Sequence, residues 1–340
     1  AGRCAVSAAA TPADVLAGTR RNALLVGDCL DGLRSLPDGC VQACVTSPPY
    51  YGLRDYGNAA QIGQESSPRA FVDALVAVFA EVRRVLRPDG TLWMNLGDSY
   101  AATTKGSSGK GEKQRTNAGT LLADRRWKVP DGPKPKDLMG IPWRVAFALQ
   151  DAGWWLRSDI VWSKPNPMPE SVTDRPTRAH EYVFLLSKRE RYFYDANAIR
   201  EVAECSAVRG PALHPDRIST NGNSGLARRE PSGFRNARDV WTIVGEPYDG
   251  AHFATMPPEL ARRCILAGSR RGDVVLDPFA GAGTTALVAV GNGRRAIGCE
   301  LNPEYARIAL DRVAAVDTDV AEPVRVEAPQ WGDLFTARAS

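Results

Sequence analysis

Short apolar runs and one clear helical stripe organise the first hundred residues. Asn22–Asp28 (NALLVGD) predicts a buried strand ending in a turn, and Val41–Thr46 (VQACVT) a second that runs into Ser47-Pro48-Pro49-Tyr50. Apolar residues then recur at Phe71, Leu75, Val78, Phe79, Val82 and Leu86, one face of an amphipathic helix. Arg87-Pro88-Asp89-Gly90 reads as its terminator, and Thr91–Leu96 (TLWMNL) as the next strand. Strand, helix, strand in this order predicts parallel pairing through a right-handed crossover.

The same alternation returns further on. Pro142–Ala152 reads as helix, Trp154–Trp162 and Glu181–Leu186 as strands, and Pro257–Ala267 as a helix with Pro early and Gly268 after its end. Val274–Leu276 is a strand, a helix starts near Thr284, Arg295–Cys299 is a strand ending at Glu300, and Pro303–Val313 is a helix. The tail after Ala315 is acidic and contains proline. The pattern is that of an α/β protein, and no internal repeat interrupts it.

Composition narrows this little further. At 340 residues the chain fits two domains or one α/β domain with a large insertion. Hydrophobic residues at 44% and charged residues at 24% exclude collagen-like, coiled-coil and wholly disordered classes. No run approaches the roughly 18 apolar residues of a membrane span. The Ala-rich start lacks a long apolar stretch after a basic beginning, so no secretory signal is expected. Seven scattered cysteines, without a C-x-x-C pair, and three histidines argue against a zinc site or a disulfide framework. Reduced thiols in a cytoplasm are the expectation, with no metal.

Charge changes the picture through its distribution. The net value is only +4, but residues 101–136 carry +6 and residues 205–238 carry +4. Both stretches are rich in Gly, Ser, Asn and Pro, so they read as long loops or insertions. They are either solvated loops or phosphate-contacting segments beside a nucleic-acid groove. The chemistry between them decides.

One chemical signal follows the strand at Val274. Asp277-Pro278-Phe279-Ala280-Gly281-Ala282-Gly283 is a strand end and a tight glycine turn before a helix, an arrangement that cradles a nucleotide cofactor. Glu300, 19 residues beyond Gly281 and at the end of the following strand, is placed to hold ribose hydroxyls. With Ala286 the run also fits the dinucleotide form G-x-G-x-x-A. A dehydrogenase is a poor fit, because too few residues follow for a complete double-wound domain. A phosphate loop is excluded by the missing Lys after Gly283.

Thr46-Ser47-Pro48-Pro49-Tyr50 is the more specific signal. Two prolines stiffen the strand exit and remove two N–H donors, leaving the Pro48 carbonyl as a free acceptor. Ser47 adds a hydroxyl and Tyr50 a flat aromatic face. Two acceptors and a stacking surface suit a planar ring bearing an NH₂ group.

On these two motifs the chain resembles the S-adenosylmethionine-dependent DNA amino-methyltransferases, which modify cytosine N4 or adenine N6. Thr46–Tyr50 is similar to their [DNS]-P-P-[YF] catalytic motif and Asp277–Gly283 to their cofactor loop; the catalytic motif comes first, the order of the subgroup called β. The resemblance covers roughly residues 22–100, 138–200 and 252–312. It implies a permuted seven-stranded, mostly parallel Rossmann-like methyltransferase sheet with helices on both faces and an inserted DNA-recognition region. Residues 22–200 would form the catalytic half, with a basic insertion at about 101–136. Residues 205–238 would hold the target-recognition segment, residues 252–315 the cofactor half, and 316–340 an extended tail. The blocks Trp162–Asn166 (WSKPN) and Arg178–Lys188 (RAHEYVFLLSK) also resemble family blocks, without an assigned role.

The resemblance also implies roles. Ser47, Pro48, Pro49 and Tyr50 would be catalytic, with Tyr50 stacking on an extruded base and Tyr51 as a second wall. Asp277, Phe279, Gly281 and Gly283 would floor the S-adenosylmethionine pocket, Glu300 would hold the ribose, and Asp28 would meet the adenine amino group. His252–Pro257 would line the methionine end, with Thr284 and Thr285 either binding the cofactor carboxylate or capping their helix. Arg54, Arg228, Arg229, Arg235 and Arg238 are the candidate DNA contacts, with Tyr56 beside Arg54 in the loop after the motif. Ser at position 47 favours N4 of cytosine; N6 of adenine is the alternative, and a catalytically silent DNA-binding relative is the rival from another class. Cytosine C5 chemistry is excluded, since no cysteine follows a proline. Double-stranded DNA would be the partner, a restriction endonuclease a separately acting companion, and the state a monomer or homodimer, in a bacterial, archaeal or phage-encoded cytoplasmic protein.

Overall fold

Strands that are apolar at consecutive positions must bury both of their faces, and here they do so in one sheet. The computed structural model describes residues 10–52, 61–101, 133–167, 169–202, 233–245 and 256–317. Its strands are β1 (Asn22–Val26), β2 (Val41–Thr46), β3 (Leu86–Leu96), β4 (Trp155–Ser163), β5 (His180–Ser187), β6 (Glu201–Val202), β7 (Phe234–Arg235), β8 (Val240–Thr242), β9 (Val274–Asp277) and β10 (Arg295–Glu300). The helices are α1 (Pro12–Ala17), α2 (Cys29–Arg34), α3 (Pro68–Val85), α4 (Ile141–Asp151), α5 (Pro258–Gly268), α6 (Thr284–Gly291) and α7 (Pro303–Ala314).

Eight strands pair in the order β1-β10-β9-β2-β3-β5-β4-β8. Only the β3–β5 and β4–β5 pairings are antiparallel. The expectation of seven strands is corrected by β8, three residues that pair parallel with β4 at the sheet margin. The separate pair β6–β7 is antiparallel. A second correction concerns Arg87–Gly90. This segment does not end a helix before a strand; β3 already starts at Leu86 and passes through it. The register against β2 jumps from Val41↔Leu86 to Ala43↔Thr91, so the surplus residues are taken up as a bulge.

Alternating side chains supply two cores, one on each face. Leu92, Met94 and Leu96 of β3 join Phe184 and Leu186 of β5 under α3 and α4. Trp93, Val183 and Leu185 face the other way, with Leu260, Ile265 and Val288 of α5 and α6. Helix α3 forms where the sequence stripe predicts it. Ser67 caps its start by accepting from the Ala70 N–H, Pro68 occupies the first turn, and Phe71, Leu75, Val78, Phe79 and Val82 are buried. Arg84 near its end donates to the Leu33 and Leu36 carbonyls and ties α2 to it.

The strand order sets the position of any site. From β9 the sheet continues through β10 to β1, and from the adjacent β2 it continues to β3. The helix after β2 lies in one core and the helix after β9 in the other. Crossovers that leave on opposite faces open a crevice beyond the strand ends, the usual ligand position in such sheets.

Candidate active site

Both sequence signals end at that crevice. Strands β2 and β9 are parallel, with Cys44 opposite Leu276, so Ser47-Pro48-Pro49-Tyr50 and Asp277–Gly283 emerge from the same sheet edge. One hydrogen bond joins them: the Thr46 hydroxyl donates to Asp277 Oδ1 at 2.6 Å. The Phe279 N–H donates to the same oxygen at 3.0 Å. Burial pushes the Asp277 carboxyl above the ordinary aspartate range, and the Thr46 hydroxyl with the Phe279 N–H pulls it partly back.

The glycine turn closes under Glu300. Gly281 and Gly283 have φ of 52° and 76°, where a side chain is strained. A Cβ on Gly283 would also lie 2.7 Å from the Ala309 Cβ of α7. Glu300 accepts the Gly281 N–H at 2.7 Å and the Asn302 N–H at 2.8 Å, one on each oxygen. Its carboxyl is pushed up first by burial and also by Asp277, against the pull of those N–H groups. At the end of β1 the Gly27 N–H meets the Glu300 carbonyl at 2.9 Å. Asp28, next in the chain, caps α2 through Oδ1, which accepts from Leu30 and Asp31. Asp28, Asp277, Phe279, Gly281 and Glu300 therefore lie along one edge.

Thr284 and Thr285 each meet a partner within the protein. The Thr285 hydroxyl donates to the Val45 carbonyl at 3.1 Å, another tie between the two loops. The Thr284 hydroxyl accepts from Arg312 of α7 at 3.4 Å.

Tyr50 is held at both edge and tip. Its ring lies against Gly97, just after β3, where a Cβ would come within 2.6 Å of the ring carbon Cε2. Its hydroxyl is 3.2 Å from Asn95 Oδ1 and 2.5 Å from Glu181 Oε2. The Ser47 hydroxyl faces the same Asn95 Oδ1 at 3.4 Å. Tyr51 departs from its expected place as a second wall. It is buried against Phe71, with ring centroids 5.3 Å apart, and its hydroxyl donates to the Glu65 carbonyl.

Three polar residues of the network were not singled out by the sequence reading. Asn95 is buried on β3, Glu181 lies near the start of β5, and Lys164, just past β4, pairs with Glu181. A glutamate opening an apolar strand, and a lysine in WSKPN, were the available signals. The cysteines nearest the site suit packing: burial pushes the thiols of Cys44 and Cys299 well up, away from nucleophilic use.

Of the candidate DNA contacts, Arg235 and Arg238 are described, and both pair with Glu201, at 3.2 and 3.0 Å. Together with the β6–β7 pairing, they tie the two ends of the arginine-rich segment. Arg54, Arg228, Arg229, Tyr56 and His252–Thr255 lie outside the described residues. Among the described residues, no helix is long and apolar enough to cross a membrane.

Comparison with known proteins identifies the family. A family model described as DNA methylase, for the N6 and N4 class, matches residues 41–311. The type II methyltransferase M.Cfr9I of Citrobacter freundii is 50% identical, over 87% of this chain and 89% of its own length. M.SmaI of Serratia marcescens is 47% identical, over 85% of this chain and 90% of its own length. Among solved structures, the PvuII cytosine-N4-specific DNA methyltransferase aligns with TM-score 0.59 and 21% identity, over 89% of each chain. The protein TTHA0409 of Thermus thermophilus, complexed with S-adenosylmethionine, aligns with TM-score 0.55 and 27% identity, over 87% of this chain and 95% of its own.

Proposed function

This chain belongs to the N6/N4 DNA methylase family and is a type II DNA methyltransferase; from that premise we propose that it methylates N4 of cytosine in a specific double-stranded sequence. The observation that supports the reading is the Thr46–Asp277 hydrogen bond, which joins the strand end before Ser47 and Pro48 to the strand end before the glycine turn.

S-adenosylmethionine is the cofactor and supplies an electrophilic methyl group on a sulfonium. The cradle suits it: Gly281 and Gly283 let the backbone come close, and each Glu300 oxygen, accepting one N–H, keeps capacity for a ribose hydroxyl. Asp28, whose Oδ1 caps α2, would offer Oδ2 to the adenine amino group. Thr285 gives its proton to the Val45 carbonyl, whereas Thr284, which accepts from Arg312, keeps its proton for the cofactor carboxylate; neither caps α6, whose N-cap is Gly283.

The amine needs help because its lone pair is delocalised into the ring. Ser47 Oγ and the Pro48 carbonyl accept its two N–H bonds, favour a more pyramidal nitrogen and aim the lone pair at the methyl carbon. The Ser47 proton points to Asn95, which leaves the Ser47 lone pairs facing the amine. Tyr50 stacks on the base once it has left the duplex. Transfer would be direct and in line: the N–C bond forms as the sulfonium S–CH₃ bond breaks, the neutral thioether leaves with the cofactor and the surplus amine proton passes to solvent, with no covalent enzyme adduct.

Ser at position 47 favours cytosine over adenine. The test is mass spectrometry of nucleosides from DNA methylated by the protein. N4-methylcytosine is the expected product, and N6-methyladenine in its place overturns the assignment.

A further inference from the structure

We propose that Glu181, neutralised by Lys164, is a positioning residue that locks the Tyr50 ring in its base-stacking pose. The proposal rests on the reading of Tyr50 as the stacking face, and it adds two residues to the machinery of transfer.

Three donors hold the carboxylate. Glu181 Oε2 accepts from the Tyr50 hydroxyl at 2.5 Å and from Asn95 Nδ2 at 3.1 Å. Its other oxygen, Oε1, accepts from the Lys164 ammonium. Its side chain is 14% exposed, so the charge sits in a partly desolvated place where an unpaired carboxylate is costly. Lys164 removes that cost. The lysine is itself seated, with Nζ 4.3 Å from the centre of the Trp162 ring. Trp162 is fixed in turn, donating from Nε1 to the Ile243 carbonyl at 2.9 Å.

This pattern suits orientation rather than proton transfer. A general base needs an oxygen free to take the proton, and Oε2, the oxygen that meets Tyr50, already accepts from two donors. A phenol donating to a carboxylate makes a charge-assisted bond, stronger and more directional than a neutral one. Gly97 constrains the Tyr50 ring at its edge and Glu181 constrains its tip, so the ring cannot swing. A stacking face fixed beforehand loses less entropy when the base arrives.

A double-mutant cycle on labelled methyl transfer to unmethylated bulk DNA tests this. Tyr50→Phe keeps the ring and loses the hydroxyl, and Glu181→Gln keeps the shape and loses the charge. Each is expected to lower kcat/KM by about tenfold or more, the scale of one hydrogen bond to a charged group. If Glu181 acts through the hydroxyl, the double variant is no worse than the poorer single one, to within about twofold. Lys164→Met should match Glu181→Gln, and Lys164→Arg should recover most of that loss. S-adenosylmethionine affinity by calorimetry should hold in all four single variants, which separates positioning from misfolding. Losses that multiply, single variants of normal activity, or cofactor affinity lost in step with transfer overturn the role of Glu181. Tyr50→Ala at normal rate removes the stacking reading and this proposal together. Multiplying losses with Tyr50→Ala inactive remove the proposal alone.

Discussion

Replacing Thr46 by valine keeps the shape of a buried strand residue and deletes one hydroxyl. In the native protein that hydroxyl spans 2.6 Å to Asp277 Oδ1, with Thr46 fully buried and Asp277 only 6% exposed. A hydrogen bond to a charged group contributes about 1.5–3 kcal/mol, and losing it leaves part of a buried charge unsatisfied. The Phe279 N–H still attends the carboxylate, so the loss should fall near the middle, about 2 kcal/mol. It should also depend on pH. Burial already raises Asp277, and removing a donor raises it further, so the variant's deficit belongs to the ionised form. The deficit is largest above the raised pKa and shrinks as the pH falls through it. Urea denaturation of both proteins, at about pH 8 and in mild acid, measures this. A change below about 0.5 kcal/mol, or one that is the same at both pH values, refutes the view that this bond holds the two loops together.

Other outcomes follow from the same geometry. Ser47→Ala should lower kcat by about 10²–10³, the scale of losing one preorganised polar contact to the reacting group, with cofactor affinity unchanged by calorimetry. Because burial raises Glu300, S-adenosylmethionine binding should weaken on acidification above the ordinary glutamate range; Glu300→Gln should bind weakly at every pH, with that dependence reduced to whatever Asp277 contributes. Gly283→Ala should destabilise the fold by about 1–3 kcal/mol in thermal unfolding, since φ is 76° and the new Cβ would meet Ala309 at 2.7 Å.

The sheet was legible wherever an element is long and its pattern consistent. The α3 stripe and the apolar runs of β2, β5 and β10 are examples, and so are the two loops, because proline and glycine write their geometry into the sequence. What escaped depends on neighbours. Strand β8 has three residues and exists because Val161 and Trp162 of β4 offer it a partner. Arg87-Pro88-Asp89-Gly90 has turn chemistry, yet β3 absorbs it as a bulge. Tyr50 and Tyr51 are adjacent, and only the packing shows that one lines the crevice while the other fills the core beside Phe71. The Asn95–Glu181–Lys164 network is invisible in one dimension, since β3, β5 and β4 bring it together by register: Asn95 opposite Val183, Trp162 opposite Glu181. Capping residues were readable but passed over, as with the Thr11–Asp14 box that starts α1.

The central claim is that two loops distant in sequence form a single methyl-transfer site at one sheet edge. A crystal structure of the protein with S-adenosylmethionine bound tests it most directly. The account predicts the ribose hydroxyls on Glu300, the cofactor over the Gly281–Gly283 turn, and the methyl group turned toward Ser47 Oγ and the Pro48 carbonyl. A cofactor seated elsewhere, or a methyl group facing away from Ser47, would contradict it.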